Sequence, residues 1–389
     1  MMFTARKRFT RTLVATAAAA AVVVAGGVVG ARALADPAVD PAPTATGGQT
    51  AGTVYANRTV PEGRLVPGAA AGQQYSYWSA GADERMHLST AVLLEPRGAA
   101  PSAGWPVVVW AHGSDGWSQA CAPSVRRDAA DVAAVSRLLK QGFAVIAPDY
   151  AAVGTPGSPQ YADFTATAHN IVDAVRAGSD VGASALSPKW AVTGRGLGAS
   201  AAVVLAAKAT AWQSGPLDFR GAGAASIPAD YQDVVAGLSP SSAAVPTAMV
   251  ADVLYTLASQ PADALESILS PRGSALVTKA RTLCTDALIK EIGGTGLADL
   301  VSRPLSSNAT LASSLRKSLA IPTRGFNRPI LMSQRLTDDA VVVPNSLRYV
   351  AEAQLSSNKV KMSTYLTGSE ADAERQEQAA VDAFLAGLF

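Results

Sequence analysis

The stretch Trp190-Ala-Val-Thr-Gly-Arg-Gly-Leu-Gly-Ala-Ser200 constrains this chain more than any other. An apolar run ends there in a turn carrying Gly194, Gly196 and Gly198, and an Ala/Val-rich helical segment follows at once. A strand, a sharp turn and a buried helix belong to a layered α/β protein. The same residues fit the dinucleotide-binding pattern Gly-x-Gly-x-x-Ala, which needs an acidic residue about 20 positions on, at the end of the next strand. The next strand-like run, Phe219 to Ile227, has none at its end, and several strand-like runs precede the motif. The nucleotide reading is set aside on those two grounds.

At 389 residues, with 49% apolar and 16% charged positions, the chain is long enough for one large core or a core with a sub-domain. Its first 35 residues carry Arg6, Lys7, Arg8 and Arg11, then an Ala/Val/Gly run from Leu13 to Gly30, then Ala33-Leu34-Ala35. A basic start, an apolar middle and an Ala-x-Ala site predict a secretory signal peptide over 1–35, with no stable membrane span once it is cleaved. Its removal takes five positive charges and leaves 27 basic residues against 30 acidic ones. That balance gives no reason to expect nucleic acid or an anionic membrane as partner. The predicted localisation is secreted or in the extracytoplasmic cell envelope.

Only Cys121 and Cys284 occur, and in an oxidising compartment a lone pair closes a disulfide; two separate buried thiols are the alternative. The three histidines and two cysteines form no cluster with metal-ligand spacing, so neither a metal nor another cofactor is predicted.

Residues 36–72 are rich in Pro, Ala, Gly and Thr and read as a linker, with the folded domain over 73–389. Apolar runs at Gln73–Trp78, His87–Glu95, Pro106–Gly113 and Phe143–Tyr150 read as strands, and Val125–Lys140 and Tyr161–Ala177 as helices. Strands alternating with helices predict a mostly parallel sheet covered on both faces. From about 228 to 327 that rhythm gives way to helical segments, among them Thr247–Ser259 and Ala275–Ile292, broken by prolines and by Gly293-Gly294. This is read as an inserted helical cap, and the α/β rhythm resumes at Pro329–Gln334.

With these landmarks the chain resembles the secretory-lipase family of α/β-hydrolases over everything after the linker. Trp110-Ala-His112-Gly113-Ser-Asp-Gly116 is similar to the family's His-Gly oxyanion-side loop, and Ala147-Pro-Asp149-Tyr150 with Gly154-Thr155-Pro156-Gly157 to its Asp-Tyr and Gly-Thr-Pro-Gly segment. Cys121-Ala-Pro-Ser124 resembles a stretch whose cysteine pairs with one in the cap, and Gln334–Pro344 the loop that carries the triad acid.

The resemblance implies an α/β-hydrolase fold with lipase or carboxylesterase ancestry and assigns the site position by position. In the family's Gly-x-Ser-x-Gly elbow the serine is the nucleophile, and here Gly196 stands in its place. Asp338, or its neighbour Asp339, fits the acid. The place of the histidine falls nearest Glu370, and the last histidine in the chain is His169. His112, Gly113 and Leu197 are candidates for the oxyanion side of a pocket and Trp117 for its wall, while Ser200 reads as a packing serine. Acyl transfer needs a hydroxyl, an imidazole to move its proton and donors to the oxyanion. The expectation is therefore a secreted lipase-like protein that is catalytically inactive and takes an apolar or acyl small molecule; a weak esterase with a non-standard site is the alternative. The sequence names no protein partner.

Overall fold

The computed structural model describes residues 49–151, 153, 155, 163–366 and 369–389. The signal peptide and the first part of the linker lie outside these residues, as do Gly154, Pro156 and Gly157. The strands are β1 (Val54–Thr59), β2 (Ala69–Ala80), β3 (Met86–Pro96), β4 (Trp105–Ala111), β5 (Ala144–Pro148), β6 (Leu186–Arg195), β7 (Asp218–Ala225), β8 (Ile330–Arg335) and β9 (Val360–Tyr365). The helices are α1 (Pro123–Arg126), α2 (Ala129–Lys140), α3 (Phe164–Val181), α4 (Leu197–Trp212), α5 (Tyr231–Ala236), α6 (Thr247–Ala258), α7 (Ala262–Leu265), α8 (Pro271–Ala280), α9 (Thr285–Ile292), α10 (Ala309–Ser318), α11 (Val343–Ser356) and α12 (Glu370–Ala386).

Among the described residues the nine strands form one sheet in the order β1-β2-β3-β5-β4-β6-β7-β8-β9. β1, β2 and β3 pair antiparallel with their neighbours and β3 meets β5 antiparallel, whereas every pairing from β5 to β9 is parallel. Alternate residues of one strand face opposite layers. Val107, Val109, Trp190 and Val192 pack against the buried α3 and α4, while Val108, Ala191 and Leu331 pack against Leu138 and Leu139 of α2 and Val381 and Leu385 of α12. The continuous apolar run of β4, and the shorter one of Trp190-Ala-Val in β6, follow from this two-sided cover. α4 buries twelve of its sixteen residues, as its Ala/Val composition requires of a helix apolar on all sides.

Two readings from the sequence are corrected. The linker does not run to residue 72: β1 lies within it and pairs with Gln73–Tyr77, and β2 begins at Ala69. β1 is an edge strand whose residues are exposed save for Val54, so it carries no apolar alternation; its place comes from backbone hydrogen bonds to β2. The stretch Val125–Lys140 is two helices, because Arg127 takes a left-handed φ of 59° and Asp128 caps α2 by accepting from Ala130 N at 2.8 Å.

Between β7 and β8 the helices α5 to α10 form the cap. Cys121, after β4, is disulfide-bonded to Cys284, just ahead of α9, which ties the loop beside the sheet to the cap.

Candidate active site

β6 ends at Arg195, Gly196 turns the chain with φ 58° and ψ −128°, and α4 begins at Leu197. A side chain rarely adopts that φ, and glycine does so without strain. The two outer glycines are needed for a different reason. A Cβ on Gly194 would lie 2.7 Å from Ala111 O, and one on Gly198 would lie 2.1 Å from the same oxygen and 2.5 Å from His112 O. β4 and the loop after it therefore press directly on the turn. A Cβ on Gly196 meets nothing within 4 Å, so this position opens into space. Gly198→Ala is expected to lose about 3 kcal/mol of stability through overpacking, whereas Gly196→Ser should lose only about 1–2 kcal/mol of backbone strain. Urea unfolding of the two variants distinguishes them.

The loop after β4 carries His112 and Gly113. His112 is buried, its Nδ1 donates to Gly113 O at 2.7 Å, and its ring stacks on Tyr150 at 4.3 Å between centroids. Tyr150 holds a left-handed φ of 67° and its hydroxyl donates to His112 O at 3.1 Å. Burial lowers the His112 pKa against the opposing pull of Asp131 and Asp149, so the imidazole is neutral. Asp149, fully buried, accepts from Ser124 N at 2.8 Å and from the hydroxyls of Ser124 and Thr90 at 2.6 Å each. It thereby joins the Asp-Tyr segment to the Cys-Ala-Pro-Ser segment. Trp117 is buried and stacks on Tyr255 of α6 at 6.2 Å, which places it in the joint between loop and cap. Leu197 is buried as the first residue of α4.

Asp115 of this loop is pushed up to about 8, first by burial and then by the carboxylates of Asp131 and Asp128. A folded carboxyl held above its unfolded value near 4 binds more protons than the unfolded chain, so stability present at low pH is lost as pH rises through about 8. The thermal midpoint should fall between pH 5 and pH 9, and Asp115→Asn should flatten that fall.

Around the acid position the structure builds an ion-pair cluster. The Asp338 side chain is buried and accepts from Ser226 Oγ, from Ala340 N at 2.9 Å and from Gln334 Nε2 at 3.4 Å, with Arg335 Nη2 at 3.5 Å and Arg195 Nη2 at 3.9 Å. Asp339 faces solvent. Glu370, the first residue of α12, pairs with Arg335 Nη1 and accepts from Thr337 Oγ1 at 2.6 Å. The third carboxylate on Arg335 is that of Glu377, 3.4 Å from Nε and pushed up to about 7 by burial against the opposing guanidinium. Glu374 lies 3.6 Å from Arg195. Glu370 thus reaches Asp338 only through Arg335. Ser200 is fully buried in α4 and its Oγ has no hydrogen-bond partner among the described residues.

No protein-family profile and no curated protein sequence matches the chain. Solved structures do. Candida antarctica lipase A in its closed state is similar with a TM-score of 0.68 and 18% identity, over 87% of this chain and 85% of that one. The rice cell wall degrading esterase LipA from Xanthomonas oryzae, in a ligand-bound form, is similar with a TM-score of 0.68 and 17% identity, over 87% and 98%. The chain has the α/β-hydrolase fold. A putative hydrolase of Legionella pneumophila subsp. pneumophila str. Philadelphia 1 shares it, with a TM-score of 0.65 and 13% identity over 86% and 98% of the two chains.

The turn at Gly196, the loop after β4 and the loop after β8 meet around Arg195. A Cβ on Gly113 would lie 3.5 Å from Arg195 O, and Arg195 reaches Asp338. The α/β-hydrolase elbow is intact as backbone and holds no hydroxyl. Among the described residues no group of His, Cys, Asp and Glu side chains is placed to hold a metal ion. Sequence reasoning missed Arg335, Glu374, Glu377 and Ser226. The signal for Arg335 was a charge ending a strand that begins Ile-Leu-Met, since such a residue is buried only when paired.

Proposed function

We propose that this protein is an exported relative of lipases and esterases that has lost triad catalysis and uses the space between sheet and cap for an apolar or acyl ligand. The observation that carries the proposal is Gly196: the elbow keeps its backbone geometry and its open space, but no hydroxyl can attack from it. The cluster around Arg335 supports the same reading, because it engages the Asp338 carboxylate that would otherwise orient a histidine. The basic, apolar and Ala-x-Ala segments of residues 1–35 support export, and the disulfide is compatible with an oxidising compartment.

The test is a chain-length series of aryl esters with the purified protein, alongside titration with a fluorescent fatty-acyl probe. The expected result is saturable binding of the probe, with hydrolysis no more than about 10³–10⁴-fold above water, far below the rate of an intact triad. Turnover at the rate of a triad enzyme would overturn the loss of catalysis. Failure to bind any chain length would overturn the ligand.

A further inference from the structure

The loop after β4 and the cap meet in a contact that the triad does not use. Ser114, one residue beyond Gly113, donates its hydroxyl proton to Asp252 Oδ1 of α6. The loop is fixed there on both sides: Thr285 Oγ1 donates to Ser114 O at 2.6 Å, Thr285 N donates to Asp115 O at 3.2 Å, and the disulfide follows at Cys121. Ser114 and Asp252 are each only partly buried as residues. Their position is set by the close packing already described, since His112 O and Ala111 O press on Gly198 and Gly113 faces Arg195 O. The pair therefore spans the gap from the elbow's loop to the cap.

We infer that Ser114 and Asp252 form a serine–carboxylate pair able to carry acyl transfer in place of the missing elbow serine and histidine. The chemistry is that of an activated nucleophile with its base in hydrogen-bond contact. Ser114 Oγ forms a bond to the carbonyl carbon of an ester while its proton passes to Asp252. The bond from that carbon to the alkoxy oxygen breaks, and Asp252 returns the proton to the departing alcohol. In the second step water adds to the acyl-Ser114 carbonyl with Asp252 taking its proton, the bond to Oγ breaks, and Ser114 recovers its proton as the carboxylic acid leaves.

Burial raises the Asp252 carboxyl to about 7, against the hydrogen bond from Ser114, which suits a base working near neutral pH. The titratable groups that face it are the hydroxyls of Tyr231 on α5 and Tyr255 on α6, both held protonated by burial, and Asp115 acts on the same Tyr255. The choice of an ester rests on the acyl-binding reading above; the pair itself does not.

The test is covalent labelling of the full-length mature protein with an alkyl fluorophosphonate, located by peptide mass mapping, alongside hydrolysis of a short aryl ester. Labelling is expected on Ser114, with a rate that rises through about pH 7. Asp252→Asn keeps an acceptor for the Ser114 hydroxyl and removes the base, so it should slow both labelling and hydrolysis at least tenfold. Ser114→Ala should abolish the label, and Ser200→Ala should leave it unchanged. A label elsewhere, no label, or equal rates in Asp252→Asn would overturn the inference and leave the contact as a tie between loop and cap. Binding of the acyl probe without labelling sinks this inference alone, whereas fast hydrolysis that survives Ser114→Ala sinks the loss of catalysis.

Discussion

Arg335→Met is expected to destabilise the protein by about 3–5 kcal/mol, the loss that follows when one partner of a buried ionic group is removed. Arg335 is 2% exposed and serves three carboxylates, Asp338, Glu370 and Glu377. Two of these side chains are themselves buried, so the variant leaves negative charge in the interior with no cation at its centre. The loss depends on pH in a fixed direction. Glu377 already sits at about 7 although Arg335 opposes the rise, so without Arg335 it moves higher still. A carboxyl raised further in the folded state costs stability as pH rises. Urea unfolding at pH 5 and pH 8.5 should therefore show a larger deficit at the higher pH. A deficit under 1 kcal/mol at both would mean that the cluster is solvated and does not hold the loop after β8.

Replacing Cys121 and Cys284 together by alanine is the second large effect. The bridge joins residues 163 apart in sequence, and in the chain-entropy account a loop of that length contributes about 4–5 kcal/mol by restricting the unfolded chain. The contacts around it in the folded state, Trp117 on Tyr255 and Thr285 on Ser114, do not need the bridge to form. The variant is thus expected to fold with the same near-ultraviolet signature and to unfold at lower urea, and reduction of the parent protein should produce the same shift. A lost near-ultraviolet signature would show instead that the bridge assembles the joint between loop and cap.

The elbow was legible in the sequence because its requirements are local. Gly196 needs a left-handed φ, and Gly194 and Gly198 allow the backbone of β4 to approach, so three glycines within five residues mark the turn before any contact is known. The buried strand β4 and the helix α4 were legible for a similar reason, since being covered on all sides leaves a long, nearly all-apolar stretch. β1 was not, because an exposed edge strand is held by its partner's backbone and its own side chains carry no pattern.

By itself the sequence determined the alternating layers, the helical insertion between β7 and β8, and the absence of both a hydroxyl at position 196 and any histidine after residue 169. Only the tertiary structure decided which charges meet. Arg195, Arg335, Asp338, Glu370 and Glu377 come from four elements and loops separated by up to 182 positions, and Ser114 meets Asp252 across 138. Pairings of that kind are set by chain topology and by the cost of burying an unpaired charge, and neither is written into the spacing of residues along the chain.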